Sequence, residues 1–352
     1  MSGHPSGVHD GRTTSAESIA QQTVPNERWE SPEPRFFAQP YTFVEGVSWI
    51  VNNLFGPSVK DRELTSFIPR RSWLNLITRR ITLGFMGDIM PFREVDLQVN
   101  AGLKEFFSDV DYLVGNFEGT LISGRTKRVL LGQAHTDRTV AALAALFPPE
   151  RTVLSCANNH AADFGFDAFS RSYERLKESG FRTIGRGDEP AIRLGEINIA
   201  TGTMWSNQRC GYISRFENLG SSYTEDAAFN ILFPHWGFEL RLYPPASQIE
   251  SGERLLKQWD MIVGHHSHSP QPVASYEIGR RRKLLAYSLG NLTFGLRLGK
   301  YLHGIVLKVT AGPGPEGDWC VGDVQWSFTT VTFPDKARAE LDLVAKCPYF
   351  DD

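Results

Sequence analysis

Cysteine is scarce in this chain of 352 residues, and its four cysteines lie far apart. They are Cys156, Cys210, Cys320 and Cys347. No two of them form a Cys-x-x-Cys pair, which argues against a zinc ribbon and against a disulfide framework. Few and dispersed thiols are typical of proteins from a reducing compartment.

Long apolar runs are also missing. Residues 1–24 are polar and lack the apolar core of a secretory signal. No stretch approaches the ~20 apolar residues that a membrane-spanning helix needs. We therefore expect no transmembrane segment and a cytoplasmic location.

Neither sign of charge is in large excess. The formal net charge is -3 and the basic clusters are short, so we expect no nucleic-acid partner. Hydrophobic residues make up 41% of the chain and aromatic residues 12%, which is enough for a substantial core. The length suits one large α/β domain with an extension, or two ordinary domains.

Composition divides the chain into four parts. Residues 1–35 are rich in small polar residues, proline and charge, and are predicted to be a disordered tail. Residues 36–80 form an N-terminal extension, in which apolar residues at helical spacing over 41–55 predict an amphipathic helix. We expect this helix to pack on the outside of the main domain, residues 81–334; a membrane-surface helix is the alternative, and the absence of Lys and Arg counts against it. Residues 335–352 are predicted to be a tail with a short helix and an exposed end.

Five apolar runs of the main domain end in polar side chains. The polar residues that follow these runs are Asp88, Glu118, Asn158, Asn159, His160, His235 and the histidines at 265, 266 and 268. Helical patterns between several of the runs predict a strand–helix alternation, which favours parallel pairing and an α/β fold. Because ligands of such sheets lie outside the carboxyl ends of the strands, the five polar ends would meet at one site. Further on, residues 304–310 and 322–333 alternate apolar and polar, which predicts two antiparallel strands.

Histidine is concentrated at one of these strand ends. Residues 264–268, Gly-His-His-Ser-His, contain three of the nine histidines. On an extended segment alternate side chains share a face, so His266 and His268 would converge while His265 turns away. Two imidazoles at this spacing favour a metal such as Zn²⁺, Mn²⁺ or Fe²⁺. The structural alternative is a histidine-rich surface turn.

Each of the other polar strand ends also has a structural alternative. Asp88 could cap a helix, and Glu118 could pair with a nearby arginine. Asn159 could stabilise a turn through its side chain, and His160 and His235 could be hydrogen-bonded core residues. Their recurrence at equivalent positions of successive strands favours a shared site.

Six motifs of the main domain resemble those of the CapA family, in the same order. They lie at residues 87–90 (Gly-Asp-Ile-Met), 116–118 (Asn-Phe-Glu), 157–165 (Ala-Asn-Asn-His-Ala-Ala-Asp-Phe-Gly), 235–239 (His-Trp-Gly-Phe-Glu), 264–268 and 287–291 (Tyr-Ser-Leu-Gly-Asn). This family comprises capsule and poly-γ-glutamate biosynthesis proteins, which are similar to calcineurin-like metallophosphoesterases. The resemblance implies a four-layer αββα sandwich with a metal centre at its strand ends.

The resemblance also implies the roles of individual side chains. The implied metal ligands are Asp88, Glu118, Asn159, His235, His266 and His268. His160, Asp88 and His265 are the implied catalytic residues: His160 would assist the leaving group, and His265 would contact the metal ligands without binding the metal itself.

Two departures from the family pattern affect these expectations. The metallophosphoesterases usually open with Asp-x-His, whereas Met90 stands at the second position here and is a poor ligand for such ions. We therefore expect one or two divalent ions (Mn, Zn, Fe or Mg) per chain. Many relatives carry an N-terminal membrane anchor or export signal, and we identify neither in this sequence.

Three functions follow from the resemblance. The first is a metal-dependent hydrolase, of the phosphoesterase or amide type, that acts on a peptide or polyglutamate-type substrate. The second is a metal-dependent peptide epimerase acting at Cα, and the third is a non-catalytic scaffold that binds polyglutamate. The sequence makes no prediction of the oligomeric state.

Overall fold

The computed structural model describes residues 43–92, 95–122, 124, 129, 131–208 and 210–350. The tail predicted over residues 1–35 lies outside this part of the chain. The described residues contain five α-helices: α1 (Phe43–Phe55), α2 (Ala101–Phe106), α3 (Asp137–Leu146), α4 (Phe166–Glu178) and α5 (Ala246–Leu255). Helices α3, α4 and α5 lie where the sequence predicted helical segments between strands.

The strands form two large sheets and one small one. Sheet A contains β1 (Arg71–Trp73), β2 (Ile81–Ile89), β3 (Asp96–Val99), β4 (Tyr112–Phe117), β7 (Thr152–Ser155), β8 (Arg182–Ile184), β15 (Asn291–Thr293), β16 (His303–Pro313), β17 (Trp319–Thr332) and β18 (Arg338–Val344). Sheet B contains β9 (Ala191–Leu194), β10 (Ile197–Thr203), β11 (Phe229–His235), β12 (Met261–Val263), β13 (Val273–Ile278) and β14 (Arg281–Ala286). A short parallel pair is formed by β5 (Thr120–Leu121) and β6 (Ala134–His135).

Each large sheet combines a set of parallel strands with antiparallel strands beside it. In sheet A, strands β2, β4, β7 and β8 are parallel, and β16 joins them to the antiparallel β17 and β18. In sheet B, β10, β11, β12 and β14 are parallel, with β9 and β13 antiparallel at the edges. The predicted antiparallel pair is confirmed as β16 and β17.

Three apolar layers separate four layers of secondary structure. Between the sheets, Phe85 of β2 packs near Phe233 of β11, with ring centroids 6.2 Å apart. The outer face of sheet A packs against α2, α3 and α4, with Phe169 in this layer. The outer face of sheet B packs against α5, with Trp236 and Trp259 in the layer. The order helix, sheet, sheet, helix confirms the predicted αββα sandwich.

Helix α1 lies against the domain through its polar side. Asn52 donates a hydrogen bond to the carbonyl oxygen of Leu240 (3.3 Å), and the Tyr301 hydroxyl donates one to Asn53 Oδ1 (2.8 Å). Its apolar side chains are exposed: Phe43, Val44, Val47, Ile50, Val51, Leu54 and Phe55. The helix therefore packs on the outside of the domain, as predicted, but it buries polar residues and leaves its apolar side outward.

For the C-terminal residues, the prediction of a short helix and an exposed end is wrong. Arg338–Val344 is a strand, β18, that pairs antiparallel with β17 and parallel with β3. Alternate residues Ala339 and Leu341 are buried, so the local period is that of a strand. None of the described helices is both long enough and apolar enough to cross a membrane.

Candidate metal centre

The polar strand ends meet at the carboxyl edge of both sheets. Asp88 lies near the end of β2 and Glu118 directly follows β4, so sheet A supplies both carboxylates. Asn159 follows β7 of the same sheet. His235 is the last residue of β11, and the histidine-rich stretch at 265–268 follows β12, so sheet B supplies the imidazoles. The predicted convergence is confirmed, and it occurs where the two sheets face each other.

Asp88 is fully buried and is held by several donors. The side-chain amide of Asn116 donates to its Oδ1 (2.8 Å), and the backbone N–H of His266 donates to its Oδ2 (2.9 Å). His265 Nδ1 lies 3.2 Å from Oδ1, and His268 Nδ1 lies 3.6 Å from Oδ2. The carboxylate therefore faces imidazoles and cannot be the helix cap that the sequence left open.

The imidazoles crowd around His235. Its Nε2 lies 2.8 Å from His266 Nδ1 and 2.8 Å from the Asn159 side-chain oxygen, Oδ1. Its Nδ1 lies 2.9 Å from His265 Nδ1. His235 thus has His266 and Asn159 at one ring nitrogen and His265 at the other, and imidazole nitrogens are common metal ligands.

The stretch 265–268 does not have the extended form that the sequence predicted. Strand β12 ends at Val263, and the backbone then turns, with φ of 100° at His266 and 53° at His268. Non-glycine residues in this left-handed region cost about 1–3 kcal/mol each, a strain that often accompanies function. The β11–β12 register continues to His265, which pairs with His235, and the backbone turns only at His266. The two-residue period therefore does not separate His265 from the other two histidines, and the prediction that it turns away is wrong: its ring contacts Asp88 and is fully buried.

Glu118 is fully buried, and its Oε1 has no hydrogen-bond partner among the described residues. His268 Nε2 lies 3.6 Å from that oxygen. The backbone carbonyl of Glu118 accepts a hydrogen bond from His135 Nε2 (2.8 Å), and the other nitrogen of this ring lies 3.2 Å from the Thr139 hydroxyl. His135 thus fixes the backbone at Glu118, a role that sequence reasoning missed because His135 lies outside every motif.

Burial and mutual charge set the pKa values of these groups. Burial alone would raise the pKa of Asp88, but the hydrogen bond and charge of His265 outweigh it and lower the pKa to about 2. Burial and the adjacent charge of Asp88 raise the pKa of Glu118 well above its usual range. Burial and the neighbouring imidazoles hold the pKa values of His235 and His266 well below theirs. These two rings are therefore neutral, the form that ligates metals.

The donor set fits a divalent cation. Four sets of three ligand atoms lie within 4.8 Å of one another: Asp88, His235 and His265; Glu118, His235 and His266; Asp88, Glu118 and His268; Glu239, His266 and His268. Three buried ligand atoms, Glu118 Oε1, His265 Nε2 and His266 Nε2, have no hydrogen-bond partner among the described residues. Such orphaned buried groups are costly unless something binds them. Because Glu118 belongs to two sets, the donors suit one ion or two.

His160 stands beside this cluster with a carboxylate partner. Its Nδ1 lies 2.7 Å from Asp163 Oδ2, and the Asn207 side-chain amide lies 3.2 Å from the same nitrogen. Asp163 also accepts a hydrogen bond from the backbone N–H of Gln133 (3.0 Å), which fixes its orientation. Asp163 was not among the predicted site residues. The signal was present, since a carboxylate three residues after a histidine can reach its ring.

Aromatic and amide side chains border the histidines. Trp205 meets His266 edge to face, with ring centroids 4.3 Å apart, and Tyr301 lies against His268 at 5.8 Å. Asn291 Oδ1 lies 2.9 Å from His268 Nδ1 and fixes the orientation of that ring.

Known proteins match the part of the chain that contains this centre. A family model described as "Bacterial capsule synthesis protein PGA_cap" matches residues 82–199 and 215–296, which is more than half of the chain. The chain belongs to this family. All six predicted ligands lie inside the matched ranges, whereas helix α1 lies outside them.

Two curated proteins are similar to this chain. The PGA biosynthesis protein CapA of Bacillus subtilis (strain 168) is 25% identical over 244 residues, which cover 61% of this chain and 63% of the relative. The capsule biosynthesis protein CapA of Bacillus anthracis is 26% identical over 250 residues, which cover 61% and 60%. The chain therefore spans about three fifths of the length of the curated relatives it matches.

Two solved structures also align with the chain. One is a hypothetical protein from Thermus thermophilus, with 13% identity, a TM-score of 0.40 and coverage of 70% of this chain and 98% of that one. The other is a candidate 5′-nucleotidase from Staphylococcus aureus, with 12% identity, a TM-score of 0.44 and coverage of 70% and 53%.

Proposed function

We propose that this PGA_cap family member is a metal-dependent hydrolase. The observation that carries the proposal is the buried cluster of two carboxylates and four imidazoles, three of whose ligand atoms have no hydrogen-bond partner among the described residues. Asp88, Glu118, Asn159, His235, His266 and His268 would hold the ion or ions. A divalent metal bound there would supply a hydroxide at neutral pH and polarise a carbonyl or phosphoryl oxygen.

The residues of the chain would fix the geometry of this chemistry. Asn116, through its amide, and the backbone N–H of His266 orient the Asp88 carboxylate. Asn291 orients His268 in the same way. Trp205 is 5% exposed and covers the edge of His266, so it limits the access of water to the cluster.

His160 is suited to move a proton. It is 8% exposed, at the border between the buried cluster and solvent, where a substrate could reach it. Asp163 accepts a hydrogen bond from Nδ1–H, which leaves Nε2 as the nitrogen that exchanges a proton with the substrate. Proton transfer of this kind contributes about 10²–10⁴-fold to a rate. We assign His160 to protonation of the leaving group and Asp163 to the positioning of its ring.

The substrate class rests on the relatives. Their names place them in PGA and capsule biosynthesis, and we extend this to a peptide or polyglutamate-type polymer as the substrate here. Hydrolysis at an amide or phosphate ester uses one proton-transfer group beside the metal. Epimerisation at Cα needs two such groups on opposite faces of the substrate, and the His160–Asp163 pair supplies one.

The test begins with metal content. Elemental analysis of the purified protein should find a divalent metal, and chelation should remove both the metal and the activity. With Mn²⁺ or Zn²⁺ restored, γ-glutamyl peptides and phosphate esters are screened in D₂O for a new amine, for phosphate and for deuterium at Cα. His266→Ala removes a proposed ligand, and His303→Ala, a histidine outside the cluster, is its matched control.

Each outcome decides between the functions. Release of an amine or of phosphate that is lost in His266→Ala but kept in His303→Ala supports the hydrolase. Deuterium uptake at Cα without cleavage would support the epimerase function and contradict the hydrolase. Absence of bound metal, together with polyglutamate binding that His266→Ala does not affect, would support the non-catalytic scaffold function.

A further inference from the structure

Glu239 brings a third carboxylate to the histidine cluster. It lies four residues after His235, in the loop that follows β11, and is half-buried. One of its carboxylate oxygens and a ring nitrogen from each of His266 and His268 lie within 4.8 Å of one another. Neither the strand pattern nor the ligand set implied by the resemblance assigned a role to this residue.

The chemistry of this set is that of a metal site. Two imidazoles and one carboxylate form a familiar three-residue donor set for a zinc or iron ion with an open position. His266 is fully buried, and its Nε2 has no hydrogen-bond partner among the described residues. A buried nitrogen without a partner beside a carboxylate is the arrangement that a cation would satisfy.

Helix α1 reaches this carboxylate from outside the family-matched region. The indole N–H of Trp49 donates a hydrogen bond to Glu239 Oε2 (2.6 Å) across 190 positions of sequence. Asn52, one turn along the helix, donates to the carbonyl oxygen of Leu240, the next residue of the loop. The helix therefore holds both the side chain and the backbone of the Glu239 loop.

We propose that Glu239 binds a metal ion together with His266 and His268, and that Trp49 is the positioning residue that orients the Glu239 carboxylate toward it. Metal-ligating carboxylates are commonly oriented by a hydrogen bond from a neighbouring group that does not bind the metal. Loss of that group typically weakens metal binding about 10- to 100-fold. The N-terminal extension would then contribute to the centre through its polar side. The inference rests on the proposed function, because it assumes that the cluster binds metal.

The experiment measures metal affinity and stoichiometry, with Zn²⁺ and Mn²⁺ alone as probes. The metal-free full chain is titrated in competition with a chromophoric chelator, and the bound metal is counted by native mass spectrometry. Glu239→Gln keeps an oxygen that can accept the Trp49 hydrogen bond but removes the charge. Trp49→Phe keeps the aromatic ring but removes the donor.

Matched controls lie on exposed positions far from the cluster. Glu316→Gln is the control for Glu239→Gln and lies in an exposed ion pair with Arg280. Trp73→Phe is the control for Trp49→Phe, at a tryptophan that is 69% exposed. Thermal unfolding of the metal-free variants shows whether each is folded. The two site variants are also combined, because coupled residues give non-additive effects.

We expect Glu239→Gln to weaken binding by about 100-fold or more and Trp49→Phe by about 10- to 100-fold. The double variant should resemble Glu239→Gln alone, since Trp49 acts through that carboxylate. Wild-type affinity in a folded Glu239→Gln would overturn this inference, because it would reduce Glu239 to a hydrogen-bond acceptor for the helix, and the proposed function would stand. Absence of metal binding in the wild type would overturn both.

Discussion

Replacement of Gly264 by alanine tests whether close packing around Gly264 requires a residue without a side chain before the histidines. A Cβ at this position would lie 2.2 Å from the indole nitrogen of Trp236 and 2.2 Å from the carbonyl oxygen of Tyr287. Ordinary contacts are 3.4–4 Å, so the neighbours would have to move by more than about 1 Å in a close-packed interior. Those two neighbours are joined by a buried hydrogen bond of 2.9 Å.

The expected cost follows from two effects. Overpacking costs about 1–3 kcal/mol, and a broken buried hydrogen bond costs a further ~1–3 kcal/mol. Gly264→Ala should therefore lower the free energy of unfolding by about 2–6 kcal/mol. Because Gly264 directly precedes His265 and His266, the variant should also bind metal more weakly.

Gly102→Ala is the matched control, because the same chemical change should act in the opposite direction there. Gly102 lies in α2, and a Cβ would meet nothing within 4 Å. Alanine in a helix stabilises by about 0.5–1 kcal/mol relative to glycine. Urea unfolding of both metal-free variants measures the two free energies. A Gly264→Ala variant as stable as the wild type, with wild-type metal affinity, would refute the packing argument.

Two further predictions concern proton transfer and alkaline stability. His160→Gln should lower kcat by about 10²–10⁴-fold with metal content unchanged, because His160 is proposed to transfer a proton and not to bind the metal. Asp163→Asn should lower kcat by a smaller factor. Steady-state kinetics and metal analysis check both variants, and loss of metal in His160→Gln would contradict the assignment. Burial raises the pKa of the Cys156 thiol to about 12, so the folded protein keeps a proton that the unfolded chain loses above the ordinary thiol value of 9.0. Stability should therefore fall as pH rises from 9.0 toward 12, by about 1.4 kcal/mol at about pH 10 from this group. Urea unfolding of the wild type and of Cys156→Ala between about pH 8 and pH 10 should show a weaker pH dependence in the variant; equal slopes would contradict the assignment.

Much of the candidate centre could be predicted from the strand pattern. The runs that end at Asp88, Glu118 and His235 indicate burial and direction locally, and parallel pairing brings their ends to one edge. The prediction for His265 was wrong because it extended the strand period through His266 and His268, where the positive φ angles turn the backbone. Asp163 was missed although it lies close to His160 in sequence.

Other features had no local signal. Trp49 and Glu239 are 190 positions apart, and no motif links them. The apolar side of α1 gave a clear helical period, yet it is the polar side that contacts the domain. The period indicates an amphipathic helix, and it does not say which side finds a partner when polar groups of the domain offer hydrogen bonds.

The sequence by itself determined where apolar runs stop and which polar residues follow them, because burial and backbone period depend on neighbouring residues. It also determined the family, through motifs that include Asn159 and His268. Only the tertiary structure decided that the carboxylates come from sheet A and the imidazoles from sheet B, that the backbone turns at His266 and His268, and that α1 reaches Glu239. Those features depend on packing between segments far apart in the chain, whose free energy no local pattern contains.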